Sequence, residues 1–189
     1  KESFWQFGAR FKMYFTLYSE SISWLFLLSN RHICIWATLD FVQASIKSAL
    51  EQVEQENIKI TIRTDGPQAC SDDVISWLRV VSQEYKNIDL IEGVKRLGTF
   101  ASYKEIFEQS DTKYLCQLDA DDLLAPNAIA TCAKALESIP TASFLYTDCI
   151  EIEDDGTPIA LGKRSKLQYS VRNSLVQFIT FHLRLIRRT

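Results

Sequence analysis

From residue 33 onward, two patterns of hydrophobic and polar residues take turns along this chain: short apolar runs and helix-like spacing. Short apolar runs, which are typical of buried strands, are predicted at residues 33–37, 58–62, 88–91, 114–118 and 144–146. Between these runs, apolar residues recur every three or four positions, as on one face of a helix, over residues 41–53, 74–85, 100–108 and 126–136. Strand and helix therefore alternate four times. This rhythm predicts an α/β fold, with a mostly parallel central sheet and helices on both of its faces.

The N-terminal part of the chain has a different pattern. Aromatic and aliphatic residues recur at spacings of three and four from Phe4 to Leu25, which predicts an amphipathic helical segment. Its polar face is not notably basic, so we expect residues 4–25 to pack against this domain or a protein partner, rather than to lie on a membrane. The sequence thus predicts a helical appendage, residues 1–31, and a domain, residues 32–189.

The C-terminal part combines an acidic turn with a basic tail. Two short apolar runs flank the turn at residues 154–156, which predicts a β-hairpin with solvated acids. The last 29 residues contain seven Lys or Arg and no acid. We interpret Arg184, Arg187 and Arg188 as the solvated face of a helix, with contact to a diphosphate, a lipid-linked acceptor or a membrane surface as the alternatives. His182 is interpreted as a packing or surface residue.

Composition narrows the class of protein and of metal site. With 47% hydrophobic residues and a net charge of -3, the chain is expected to be globular and not to bind nucleic acid. Its apolar runs are far shorter than the ~20 residues of a membrane-spanning helix. Five scattered cysteines without a C-x-x-C pair fit reduced thiols. Because only two histidines are present, a metal would have to bind carboxylates, which favour Mg²⁺ or Mn²⁺.

Polar residues follow the predicted strands at their carboxyl ends, where open α/β sheets bind ligands. The first four strands lead into Thr38 and Asp40, Asp65, Lys95 and Arg96, and the acidic segment 119–122. No glycine-rich dinucleotide fingerprint and no nucleophile elbow occurs in the sequence. Neither motif can therefore account for ligand binding at this edge. Binding must depend on the polar side chains that follow the strands.

The acidic segment holds three carboxylates within four residues, Asp119, Asp121 and Asp122. Such groups repel one another unless a cation joins them, and a divalent ion held in this way keeps open positions for phosphate oxygens. The alternative is that these acids are solvated turn residues or helix caps before Pro126. These acids lie at the end of a strand, and Asp65 lies at the end of another. Both facts favour a binding site for a metal ion and a nucleotide.

The order and spacing of these motifs resemble a known family. They are the segments 35–40, 48–52, 64–66, 118–122 and 146–148, with Gly98 and Pro126. Together they are similar to the nucleotide-binding half of family 2 glycosyltransferases of the GT-A fold, from about Ile33 to the C-terminus. The resemblance implies an enzyme that uses Mn²⁺ or Mg²⁺ to bind a nucleoside-diphosphate sugar, a UDP-sugar. It also implies hexosyl transfer, with inversion, to a saccharide or lipid-linked acceptor.

The resemblance also implies roles for individual residues. Asp65 matches the aspartate that accepts a hydrogen bond from the uracil N3–H, a task that suits an acceptor-only carboxylate. Asp119 matches the first acid of the family's D-x-D motif, near the ribose and the metal, and Asp121 matches the acid that binds the metal. The other positions that match the uridine pocket are Thr38, Asp40, Lys95, Arg96 and Lys104.

The sequence departs from the family pattern at three places. Thr64 replaces the usual first acid of the Asp-Asp-Gly turn, and residues 102–104, Ser-Tyr-Lys, stand where Ala-Arg-Asn is common. The resemblance implies that the domain is truncated at its C-terminus and that its general base lies beyond Thr189, because neither Asp148 nor Glu151 occupies the position of the base. Asp148 is instead expected to border the acceptor site.

Two alternatives to this enzyme stay open, the first motivated by these departures and the second by the shared type of sheet. The first is a non-catalytic nucleotide-binding or interaction domain of a larger protein. The second is a sugar nucleotidyltransferase, which would want a glycine-rich loop after the first strand, where residues 37–40 contain no glycine. For the enzyme we expect a cytoplasmic location, with the inner face of the membrane as a variant of it.

Overall fold

The computed structural model describes residues 38–52, 58–67, 69–177, 179–180 and 182–188, together with the backbone of residues 22–28. The strand predicted at residues 33–37 and the predicted helical segment before residue 22 lie outside the described residues. The strands are β1 (Ile22–Leu28), β2 (Ile58–Thr64), β3 (Ile88–Glu92), β4 (Tyr114–Asp119), β5 (Phe144–Tyr146), β6 (Ile150–Ile152), β7 (Pro158–Leu161) and β8 (Arg184–Arg187). The helices are α1 (Leu39–Leu50), α2 (Asp72–Glu84), α3 (Thr99–Gln109), α4 (Ala128–Glu137) and α5 (Val171–Gln177), with a short 3₁₀ turn at Arg164–Lys166.

In the part of the chain that the structure describes, six strands form the central sheet, in the order β3-β2-β1-β4-β8-β5. The first four in this order run parallel, as the alternation of strands and helices predicts. β8 lies antiparallel between β4 and β5. The remaining two strands, β6 and β7, form the predicted hairpin, whose turn contains Gly156 at a φ of 85°. The α/β fold with a mostly parallel sheet is therefore confirmed.

The strand between β2 and β4 corrects part of the N-terminal prediction. Residues 22–28 form β1, in register with Ile58 on one side and Tyr114 on the other, so the predicted helical stripe does not include Ile22 and Leu25. Nearly continuous apolar sequence is typical of a parallel strand that is covered on both faces, and two neighbouring strands supply its backbone hydrogen bonds. The division of the chain at residue 31 stays a prediction.

The basic C-terminal segment forms a strand, not the helix face expected from its sequence. Arg184 to Arg187 form β8, and the side chain of Leu185 is fully buried in the sheet. The Arg187 guanidinium donates hydrogen bonds to the carbonyl oxygens of Leu136, at 2.6 Å, and Ala142, at 3.1 Å. The prediction was wrong here because a four-residue strand owes its stability to its two partner strands rather than to its own pattern.

Helices α1, α2 and α4 bury their apolar faces against the sheet. Each contributes residues spaced at helical intervals, namely Val42, Ile46 and Ala49, then Val74, Leu78 and Val81, then Ile129, Cys132 and Leu136. Ser71 caps α2 by accepting a hydrogen bond from the Val74 amide. Helix α4 begins at Ala128, two residues later than Pro126 predicts, with Asn127 as its left-handed N-cap. The buried faces fix the helices against the strand ends that carry the candidate site.

The loop between β3 and α3 passes close to the end of β2. Gly93 lies where the two backbones meet, and a Cβ on this residue would overlap the carbonyl oxygen of Thr64. The same Cβ would lie 3.0 Å from the amide nitrogen of Gly66. Only a residue without a side chain allows this approach.

We expect Gly93→Ala to lower the free energy of unfolding by about 3 kcal/mol, because two backbone segments would have to separate. Gly156→Ala, in the turn of the β6–β7 hairpin, is the control, since Gly156 has a φ of 85° but its Cβ would meet no atom within 4 Å. There we expect a loss of about 1 kcal/mol from backbone strain alone. Urea unfolding of both variants measures the difference, and equal losses would contradict the close approach.

Candidate functional site

A cleft of about 1390 Å³ opens at the carboxyl end of β4. Its walls are formed by the second half of α1, the loop after β4, the first half of α4, the hairpin β6–β7 and the residues just before β8. Acids and bases share the lining, with Asp119, Asp121, Asp122, Asp148 and Glu151 among the acids and Lys163, Arg164 and Arg184 among the bases. A cleft with both charges suits a ligand that carries negative charge and binds together with a cation.

The cleft contains part of the predicted site. Asp119 and Asp121 line it, and so do Asp148 and Glu151, the two carboxylates considered as general bases. The predicted uridine-pocket residues do not line it; these are Thr38, Asp40, Asp65, Lys95, Arg96 and Lys104. The described residues therefore present two separate groups, an acidic cleft at the end of β4 and a polar corner at the end of β2.

The acidic segment begins at Asp119, the last residue of β4, and turns sharply after it. The amide of Asp122 donates a hydrogen bond to the Asp119 carbonyl oxygen at 3.1 Å. Burial, and to a smaller degree the charge of Asp119, raise the pKa of Asp121. Burial and the charges of Asp119 and Asp121 raise the pKa of Asp122 to about 7. The carboxylates therefore repel one another, as the sequence predicts, and a bound cation would relieve the repulsion.

The carboxylates Asp119 and Asp121 suit a magnesium or manganese ion that also binds the phosphate oxygens of a ligand. Within the part of the chain that the structure describes, no group of three or more His, Cys, Asp or Glu side chains is arranged to hold a metal by itself. Mg²⁺ commonly binds one or two carboxylates and completes its shell with water and substrate phosphates. Asp119 and Asp121 offer such a pair, on the wall of a cleft large enough for a diphosphate.

Two hydrogen bonds fix the side chain of Asp119. The hydroxyl of Tyr103 donates to Asp119 Oδ1 at 3.1 Å, and the side-chain amide of Gln117 donates to the same oxygen at 3.3 Å. Burial and the nearby Asp119 charge raise the pKa of Tyr103 above its ordinary value, which keeps the hydroxyl protonated as a donor. In the sequence, Tyr103 is notable only as a departure from a family motif. Its contact with Asp119 could not be read from spacing.

At the end of β2, the side chain of Asp65 is turned into the protein and is 1% exposed. Its Oδ1 accepts hydrogen bonds from the amide of Leu97, at 2.8 Å, the amide of Gly98, at 3.1 Å, and the hydroxyl of Ser102, at 3.2 Å. The Gly98 amide also approaches Oδ2, at 2.9 Å. Asp65 thus holds the loop that leads into α3.

A buried arginine accompanies Asp65. Arg63, which is 4% exposed, donates to the Thr64 carbonyl oxygen at 2.9 Å and to Glu105 Oε2 at 3.0 Å. Its Nη1 lies 3.9 Å from Asp65 Oδ1. The sequence signal for this cluster was an arginine inside an otherwise apolar strand, because arginine is rarely buried without a charged partner. Sequence reasoning missed it.

The remaining uridine-pocket candidates lie at the surface. Thr38 is the exposed N-cap of α1, and Asp40 lies in the first turn of that helix. Arg96 is exposed, but its backbone passes close to Gly66. A Cβ on Gly66 would lie 3.0 Å from the Arg96 amide nitrogen. Lys104 is exposed and its Nζ lies 3.7 Å from Glu108. Their predicted contacts with a nucleotide stay predictions.

The residues just before β8 lie close to the acidic segment. His182 Nδ1 lies 3.9 Å from Asp122 Oδ2. Burial, with a contribution from the positive charge of Arg164, lowers the pKa of His182. The imidazole is therefore mainly neutral near pH 7, and the positive charge on this wall comes from the arginine and lysine side chains.

Two general expectations can be compared with the described residues. Cys70, Cys116, Cys132 and Cys149 are free thiols there, with Cys116 fully buried, whereas Cys34 lies outside the described part. In the helices that the structure describes, none has the length and apolar character needed to cross a membrane.

Comparison with known proteins gives one family match and several structural likenesses. The sequence model of the family described as Glycosyl transferase family 2 matches residues 32–189. An uncharacterized glycosyltransferase from Haemophilus influenzae is 29% identical over 105 residues, which are 56% of this chain and 31% of the relative.

Two solved structures share the fold. A mannosyltransferase from Pyrobaculum calidifontis, in complex with GDP-Man and Mn²⁺, has a TM-score of 0.56 and 16% identity over 68% of this chain and 35% of its own. Residues 1–349 of TarS from S. aureus give a TM-score of 0.60 and 13% identity over 88% of this chain and 47% of that one. This chain therefore spans about a third to a half of the relatives it matches.

Proposed function

Because the chain belongs to glycosyl transferase family 2, we propose that it binds a nucleoside-diphosphate sugar with a divalent metal ion and transfers the sugar, a hexose, to an acceptor. The observation that carries this proposal is the carboxylate group Asp119, Asp121 and Asp122 at the carboxyl end of β4, on the wall of the large cleft. The mannosyltransferase of the same fold, in complex with GDP-Man and Mn²⁺, supports the class of donor and metal.

The chemistry of the site follows from its charges. We assign Asp119 and Asp121 to Mn²⁺ or Mg²⁺, which when bound supplies neutralisation of the charge that develops on the leaving diphosphate. Asp119 is held for this task by Tyr103 and Gln117. Lys163 and Arg164 also line this cleft, and their positive charge can attract the diphosphate.

For the donor we propose a UDP-sugar, since the motifs at the end of β2 and in the following loop resemble a uridine pocket. The acceptor is a saccharide or a lipid-linked saccharide, with Asp148 bordering its site, and transfer inverts the anomeric carbon. We place the reaction in the cytoplasm, where nucleotide sugars are made, and at the inner face of the membrane if the acceptor is lipid-linked. The general base stays unassigned.

A non-catalytic nucleotide-binding or interaction domain is the second candidate. One observation favours it. The carboxylate oxygens of Asp65 accept hydrogen bonds from Leu97, Gly98 and Ser102 and do not face the cleft. An enzyme would release UDP from a UDP-sugar, if only by slow hydrolysis, whereas such a domain would not. A coupled assay for released UDP separates the two.

Nucleotide binding tests the main proposal directly. We expect UDP to bind at least about tenfold more tightly with Mn²⁺ than with EDTA, because the ion joins the diphosphate to Asp119 and Asp121. Isothermal titration calorimetry with UDP, GDP and CDP, each with and without Mn²⁺, measures both the metal dependence and the base preference. If neither UDP nor GDP binds in Mn²⁺, the proposed function is rejected, and if GDP binds best, the choice of UDP is.

A further inference from the structure

Helix α3 contacts the last residue of β4 through the side chain of Tyr103. The Tyr103 hydroxyl donates to Asp119 Oδ1 at 3.1 Å, although the ring belongs to the helix that follows β3. The ring also stacks on Phe107, one turn later, with the ring centroids 6.5 Å apart. The tyrosine is therefore held by the helix and by a neighbouring ring, and its hydroxyl has a fixed position relative to β4.

The start of α3 is itself anchored. Asp65 accepts hydrogen bonds from the amide of Gly98, the N-cap of α3, and from the hydroxyl of Ser102, the residue before Tyr103. The end of β2 is thereby connected to the end of β4 by a continuous path of hydrogen bonds and one helical turn. Such a path limits the sideways movement of Tyr103.

Both donors to Asp119 approach the same oxygen. Gln117 adds its amide to Oδ1 at 3.3 Å, so the two bonds together fix the rotation of the carboxylate about its Cβ–Cγ bond. A tyrosine hydroxyl is neutral, so it orients the carboxylate without cancelling its charge.

We propose that Tyr103 is a positioning residue that sets the orientation of the Asp119 carboxylate for the divalent ion and the diphosphate. This inference rests on the proposed function. Partners that orient a metal ligand typically change metal affinity by about 10–100-fold when they are removed. Tyr103 is expected to act through Asp119 alone and to make no contact with the sugar or the base.

The variant Tyr103→Phe removes the hydroxyl and keeps the ring. We expect it to weaken Mn²⁺ binding about 10–100-fold, measured by the electron paramagnetic resonance signal of free Mn²⁺ in the presence of UDP. UDP affinity in EDTA is expected to change less than twofold, because no metal ligand is involved there. A merely structural role would weaken both affinities together, so the contrast between them identifies positioning.

Tyr114→Phe is the matched control. Tyr114 lies at the other end of β4, and in the described part of the chain its buried hydroxyl has no hydrogen-bond partner. We expect this variant to bind Mn²⁺ and UDP like the unaltered protein. Urea unfolding of both variants establishes that each is folded under the conditions of the binding measurements.

The outcomes separate the inference from the proposed function. If the unaltered protein shows no Mn²⁺-dependent UDP binding, both are rejected. If it does, and Tyr103→Phe binds Mn²⁺ within twofold of it, only the role of Tyr103 is rejected. If Tyr103→Phe is unchanged while Tyr103→Leu loses UDP affinity in EDTA, the ring contacts the nucleotide, which also overturns the positioning role.

Discussion

Replacement of Asp121 by asparagine is expected to remove the metal-dependent part of nucleotide binding, with a loss of Mn²⁺ affinity of at least ~100-fold. Asparagine keeps the shape of the side chain and removes its charge. In the folded protein, burial and the charge of Asp119 raise the pKa of Asp121, so its ionised form is destabilised when no cation is bound. The variant should therefore be as stable as the unaltered protein, or more stable, while its metal affinity falls.

Opposite effects on stability and on binding make this experiment specific. Calorimetric titration of UDP in Mn²⁺ measures the affinity, and urea unfolding without metal measures the stability. Asp154→Asn, in the solvated turn of the β6–β7 hairpin, is the control and should change neither. Metal-dependent binding that survives in Asp121→Asn but disappears in Asp122→Asn would move the second ligand to Asp122, which also lines the cleft.

The parts of this fold that sequence could predict are those whose signal is local. The strand at Ile58–Thr64 and the helix at Asp72–Glu84 were predicted because alternation, helical spacing and a capping serine all occur within one short segment. Strand β8 was not predicted, because four residues with arginine at both ends form a strand only when two neighbouring strands, β4 and β5, pair with them. Its signal lies in the sheet rather than in its own sequence.

The candidate site divides in the same way. Asp119 and Asp121 could be predicted because they follow an apolar strand directly, and the structure places both on the cleft. The contact of Tyr103 with Asp119 spans 16 residues of sequence, and that of Arg63 with Glu105 spans 42. Such contacts depend on how helix α3 is placed on the sheet, and no single-sequence pattern records that placement.

The buried carboxylate of Asp65 has the largest expected effect on stability. We expect Asp65→Ala to lower the free energy of unfolding by about 3–5 kcal/mol. The substitution would leave the amides of Leu97 and Gly98 without their acceptor and would take a negative charge away from the buried guanidinium of Arg63. Since domains of this size are typically stable by only about 5–15 kcal/mol, the loss would be a large fraction of the total.

Urea or thermal unfolding measures this loss, and a surface ion pair supplies the control. Asp89 pairs with Lys59 at 2.8 Å, and both side chains are about half exposed. Because solvent screens such a pair, we expect Asp89→Ala to cost at most about 1 kcal/mol. If Asp65→Ala cost no more than Asp89→Ala, the hydrogen bonds of Asp65 to the loop would not be what stabilises this corner of the fold.

A milder substitution, Asp65→Asn, distinguishes two ways in which Asp65 could serve nucleotide binding. A direct hydrogen bond to the uracil N3–H, as the family resemblance implies, requires a free acceptor that faces the ligand. In the structure the carboxylate is 1% exposed and accepts from Leu97, Gly98 and Ser102. We therefore expect Asp65→Asn to weaken UDP and GDP binding by the same factor, through the loop that carries Arg96, and to leave the ratio of the two affinities unchanged. A selective loss of UDP binding would instead mean that the loop releases Asp65 to the base when the nucleotide binds.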